Sequence, residues 1–137
     1  MDRKEFQDLS KIRLKEAQAL LQLGHFDGAF YLAGYSVECA LKACIAKQTR
    51  RGEFPDKKTV ESSHTHNLLQ LLKVAGLEAG FAAQAKKDPG FLKSWRDVQS
   101  WSEQSRYRKN PEASARELLV AIGDRRHGIL SWIKQQW

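Results

Sequence analysis

Between residues 4 and 23, Phe6, Leu9, Ala17, Leu20 and Leu21 recur at helical spacing, with Lys11, Lys15 and Gln18 opposite, which predicts a long amphipathic helix. Gly24 ends it, and Gly24-His25-Phe26-Asp27 reads as a short turn. Over 28–49 a second stripe, Phe30, Ala33, Val37, Ala40, Leu41 and Cys44, has small residues beside it and predicts the central helix of a bundle. Residues 50–63 have no period and carry Gly52, Pro55, Lys57, Lys58, Ser62 and Ser63, so an exposed basic loop is expected there. Leu68, Leu69, Leu71, Leu72 and Ala75 form a short helix that Gly76 can close, with Asn67 and Gln70 suited to its N-terminal cap. A further helix is expected over 78–87. Asp88-Pro89 is a cap-then-proline start, followed by Phe91, Leu92, Trp95 and Val98 with Trp101 nearby, and this helix should end near Glu103. Asn110-Pro111-Glu112 repeats the start signal, and Leu118, Leu119, Ile122, Ile129 and Ile133 give a last helix running to Trp137.

The pattern therefore predicts five or six helices in one domain over 1–137, with no strand-like alternation and no internal repeat. Length agrees, because 137 residues bury one core and divide poorly into two. A 42% apolar and 28% charged composition is that of a water-soluble globule. No apolar run near the 20 or so residues of a membrane span is read, and the start Met1-Asp2-Arg3-Lys4-Glu5 lacks a signal-peptide core, so a cytoplasmic protein without a membrane partner is expected. Cys39 and Cys44 lie on different faces of one helix and are expected to be reduced and packed. The net charge of +7 suits a polyanionic partner such as RNA, DNA or a nucleotide.

Candidate chemistry collects on the second helix, where Tyr31, Tyr35, Glu38 and Lys42 are spaced i, i+4, i+7 and i+11 and make one polar stripe on an apolar cylinder. Either it faces solvent, with Glu38 and Lys42 an ordinary helix pair, or it faces other helices or a second subunit. In the second case Glu38 must be paired, and Arg106 is the candidate. The run from Trp101 to Lys109 joins rings to the cations Arg106, Arg108 and Lys109, with Tyr107 among them, and could hold phosphate and base, or could be core packing beside solvated charges. His64-Thr65-His66 lacks the further ligands of a metal site, so His66 is expected to hydrogen-bond a neighbouring element. His127 follows Arg125 and Arg126 in the last helix and either lies at the surface without a role or could polarise a phosphoester. No glycine-rich phosphate loop and no Ser or Cys nucleophile motif is present, and no metal or cofactor is called for.

Several segments in order resemble one family. These are Ala17-Gln18-Ala19-Leu20-Leu21 with Gly24, the stretch Ala29 to Ala43, His66-Asn67-Leu68, the Ser105-Arg106-Tyr107 following Trp101, and the long closing helix. Together they resemble the HEPN domain over nearly the whole chain. The resemblance implies an all-α, antiparallel up-and-down bundle of four to six helices that commonly forms a homodimer with a cleft at the interface. It also implies an association with nucleotides, RNA, toxin–antitoxin or defence systems, and a nucleotidyltransferase as possible partner. Many relatives are metal-independent ribonucleases whose signature is an Arg followed by four to six residues and a His. No Arg–His pair here has that spacing; after Arg106 the corresponding positions are Pro111, Glu112 and Ala113. The expected function is therefore binding of a nucleotide, RNA or partner protein without the usual catalysis, through Tyr31, Tyr35, Glu38, Lys42, His66, Trp101, Arg106, Tyr107 and Arg108. The alternatives are a metal-independent endoribonuclease using another pair, Arg108 with His66 or Arg125 with His127, and a helical protein-interaction adaptor.

Overall fold

A computed structural model describes residues 1–49, 54 and 56–137. The described residues are all helical, in the order α1 (Arg3–Gln22), α2 (Phe26–Lys47), α3 (Lys57–Ser63), α4 (Leu68–Val74), α5 (Glu78–Lys87), α6 (Pro89–Gln99), a 3-10 helix (Glu103–Tyr107), α7 (Glu112–Gly123) and α8 (Ile129–Lys134). The all-α bundle expected from the pattern is what forms, with eight α-helices among the described residues where five or six were expected.

The hairpin α1–α2 is the most extensive helix pair. Gly24 turns it at φ +82°, and the His25 N–H reaches back to the Leu20 carbonyl at 2.9 Å, closing α1 with a left-handed glycine where a Cβ would be strained. α2 is the hub: α1, α4, α7, α8 and the 3-10 helix all pack on it, and thirteen of its residues are buried. By length and composition α2 is long and apolar enough to cross a bilayer, which the sequence reading did not expect, yet 72% of that stretch is buried inside the protein. Cys39 and Cys44 are free thiols within it, and burial pushes them up to about 12 and about 11. A second packing centre joins α5, α6 and α8, where Phe81 meets Phe91, Trp95 and Trp132 at ring separations of 4.9, 4.8 and 5.5 Å.

Two helix starts form as read. Asn67 Oδ1 accepts from the Gln70 N–H at 2.9 Å, and Asp88 Oδ1 accepts from those of Gly90 and Phe91 at 3.0 and 3.2 Å with Pro89 in the first turn. Four expectations are corrected. The loop expected over 50–63 contains α3, because Asp56 caps it by accepting from the Thr59 N–H at 3.1 Å; positions 50–53 and 55 lie outside the described residues. The helix expected to reach Glu103 stops at Gln99, and the 3-10 helix follows. The closing helix expected to run unbroken to Trp137 is interrupted by a turn over 124–128. There Asp124 Oδ2 accepts from the Arg126 and His127 N–H groups at 3.1 and 2.7 Å, and a Cβ on Gly128 would lie 2.2 Å from the Asp124 carbonyl oxygen. Asn110 does not cap α7 either: its amide turns back to the Arg108 carbonyl at 3.3 Å, and its N–H is taken by Asp27.

Candidate functional site

The stripe on α2 turns inward at its centre. Glu38 is 1% exposed and Lys42 is 20% exposed, while Tyr31 and Tyr35 are half-buried. A carboxylate taken out of water must find partners. Glu38 Oε1 receives the Nδ1 side of the His66 imidazole, and Lys42 Nζ stands 4.0 Å away. Burial raises the Glu38 carboxyl above its ordinary value, outweighing Lys42 and the His66 hydrogen bond, which pull it down. The other ring nitrogen of His66, Nε2, lies 3.2 Å from Glu103 Oε2 at the start of the 3-10 helix. One imidazole thus bridges a buried and a partly exposed carboxylate. It ties the turn before α4 to α2 and to the 3-10 helix, the kind of bond to a neighbouring element expected of this histidine.

This corrects the pairing of Glu38 with Arg106. The Arg106 guanidinium lies 4.8 Å over the Tyr107 ring, and both side chains are exposed, as is Arg108. They form an outward corner one 3-10 turn, about 6 Å, beyond Glu103. Trp101 goes the other way, into the core at 5% exposure. Its indole N–H donates to the Tyr31 carbonyl at 3.1 Å, and its ring stacks 6.2 Å from that of Tyr31, which in turn lies 6.1 Å from that of Tyr35. Gly34 makes room, since a Cβ there would lie 2.2 Å from the indole. The fold therefore brings Tyr31, Tyr35, Glu38, Lys42, His66 and Trp101 into one contiguous cluster on α2. Arg106, Tyr107 and Arg108 sit at its edge without reaching Glu38.

A second constellation lies elsewhere. Asp88, while capping α6, places Oδ2 2.9 Å from His127 Nδ1, and this contact holds its carboxyl below the ordinary value. The imidazole rests on Gly90, where a Cβ would come within 2.8 Å of the ring. Main chain, ring face and one nitrogen of His127 are all fixed, and the side chain is still half exposed beside the exposed Arg125 and Arg126. The sequence shows Asp88 as a cap and groups His127 with Arg125 and Arg126 alone, because nothing local joins residues 39 positions apart. Glu103 was passed over for the same reason. Among the described residues no group of three His, Cys, Asp or Glu side chains is arranged to hold a metal ion.

Clefts of two sizes open among the described residues. The larger, about 920 Å³, opens beside Lys42 between the start of α1, the end of α2, and α3. The smaller, about 360 Å³, lies between α6 and α7 and includes Arg96, Asp97 and Glu117.

Searches of curated proteins and of solved structures find no match to this chain. The family model described as HEPN domain matches residues 8–135. That match begins in the first helix, takes in the whole α2 cluster and ends past α8, and so the chain belongs to the HEPN family, a family associated with nucleotide and RNA chemistry and often with ribonuclease activity.

Proposed function

We propose that this protein is a nucleotide- or RNA-binding HEPN protein that works without the family's usual ribonuclease pair, using the corner Arg106, Tyr107 and Arg108 beside the α2 cluster. The observation that carries the reading is the placement of two guanidinium groups and an exposed ring, 72% accessible in Tyr107, on a short turn anchored through Glu103 and His66 to the buried Glu38. Exposed arginines supply charge for phosphate, and an exposed ring offers a face on which a base can stack. Both ring nitrogens of His66 are already engaged by carboxylates, which leaves neither free to face a substrate. In this reading the protein acts in the cytoplasm as a homodimer, in a toxin–antitoxin or defence setting with a nucleotidyltransferase as partner.

A second reading is favoured by one observation. His127, oriented by Asp88 and flanked by Arg125 and Arg126, has the carboxylate-held geometry of a proton-transfer histidine, so a metal-independent endoribonuclease could work from that corner. One set of measurements separates the two. Fluorescence anisotropy with a labelled single-stranded RNA and with labelled ATP should show binding by the parent that weakens at least tenfold in Arg106→Ala/Arg108→Ala, with the fold intact by circular dichroism. A parent that binds neither probe, or a double variant that binds equally well, ends the first reading. Cleavage of the RNA in excess EDTA, lost in His127→Ala and in Asp88→Asn, establishes the second in its place.

A further inference from the structure

The wide cleft beside Lys42 belongs to neither arginine corner. It exists because α3 packs chiefly on α4 and stands away from the α1–α2 hairpin. Its volume of about 920 Å³ falls within the range that holds small molecules, about 300–1,000 Å³. Much of its wall is apolar, supplied by Phe6 from α1, Ile45 from α2 and Val60 from α3. The charge on it is one-sided. Among the described residues, Arg3, Lys42 and Lys47 line it against one acidic side chain, Asp2, whose Oδ1 is already accepting from the Glu5 N–H at 2.8 Å to cap α1. Neither lysine is fully matched among the described residues. Among the described residues, the ion-pair contact of Lys42 is the 4.0 Å one with Glu38, a carboxylate it shares with His66, and Lys47 donates to the neutral main-chain carbonyl of Gln136 at 3.1 Å.

Each simpler ligand leaves part of this surface unsatisfied. An inorganic anion would answer the ammonium groups and leave the apolar wall wet, and a neutral apolar molecule would do the reverse. We propose that this cleft binds an amphiphilic organic anion, its charged end at Lys42 and Lys47 and its apolar body lying over Phe6, Ile45 and Val60. The site is separate from the arginine corner and does not depend on the nucleotide or RNA reading.

The test is an amide chemical-shift titration of the full chain with sodium decanoate, run in parallel with decanol, inorganic phosphate and AMP. Decanoate should shift the amides of Ile45, Lys47 and Val60 saturably, at concentrations at least tenfold below those at which any of the other three does so. Val60→Glu, which sets a carboxylate on the wall of a short surface helix, should abolish the shifts, whereas Arg106→Ala should leave them unchanged. Lys47→Gln, at an exposed position, should weaken binding at least threefold, and it carries the test if Val60→Glu does not fold. No saturable shift with decanoate overturns the proposal. So does decanol or phosphate matching decanoate, AMP binding as tightly at the same amides, or full affinity in both cleft variants.

Discussion

Glu38 is an acid that the fold takes out of water beside Lys42 and His66, and stability must therefore depend on its proton. Its carboxyl is raised above its ordinary value of 4.5, with burial the largest cause, so the folded chain keeps that proton to higher pH than the unfolded chain does. The contribution is complete below the unfolded value and is lost as pH rises through the folded one. Glu38→Gln keeps the shape and an acceptor for His66 while removing the ionisation. Thermal melts from pH 4.5 to 7.5 should then show the parent losing stability relative to the variant as pH rises. Parallel curves would mean that Lys42 and His66 fully offset burial. The same residue shows what a sequence can and cannot disclose about a site. Helical spacing put Glu38 and Lys42 on one face, and the charge rule demanded a partner, but spacing within α2 carries no information on which distant side chain arrives. Arg106 was the obvious cation; His66 came instead because the turn before α4 lies over α2, and Arg106 turns outward onto Tyr107.

Helix by helix, the 3-10 segment is held to α2 by an indole seated on a glycine. A methyl group at Gly34 would sit 2.2 Å from the Trp101 ring, so Gly34→Ala must push the indole off its seat and strain its hydrogen bond to the Tyr31 carbonyl. Overpacking of this kind costs about 1–3 kcal/mol and a lost hydrogen bond about 1, against the roughly 1 kcal/mol that alanine gains over glycine inside a helix. A net loss of about 1–3 kcal/mol is expected, read as a lower melting temperature and altered tryptophan fluorescence; an unchanged melt would show that the indole has room to move aside. At this level most of the architecture was legible. Asn67 and Asp88 announced their helices because each accepts from local N–H groups, a bond between near neighbours. Asn110 misled because its N–H is claimed by Asp27, 83 positions away. The closing helix read as continuous because Ile122, Ile129 and Ile133 keep one helical phase across the break, while the turn is made by Asp124 and by Gly128, whose role is a close approach of two main-chain segments. Helix α3 was hidden by its lysines, which read as loop, although Asp56 sits where a cap belongs.

Taken whole, the molecule is a cationic bundle of net charge +7. If Arg106, Arg108 and Lys109 meet about three phosphates of a single strand, counterion release sets a slope near −2 for log affinity against log salt. RNA affinity should then fall roughly twentyfold from 50 to 200 mM salt, by about 0.7 per contact. A titration that is flat across that range would remove ionic contact from the account. The bundle also carries its own reporters of motion. Cys39 and Cys44 are sealed inside α2, the first close enough to feel the charge of Arg13 on α1 and the second with its sulfur 4.0 Å from the Ile133 carbonyl on α8. A thiol so deep and so reluctant to ionise can be consumed by a reagent only when its covering helix lifts. The two sulfurs are therefore clocks for the lifting of the helices that cover α2, the second timing departures that involve α8.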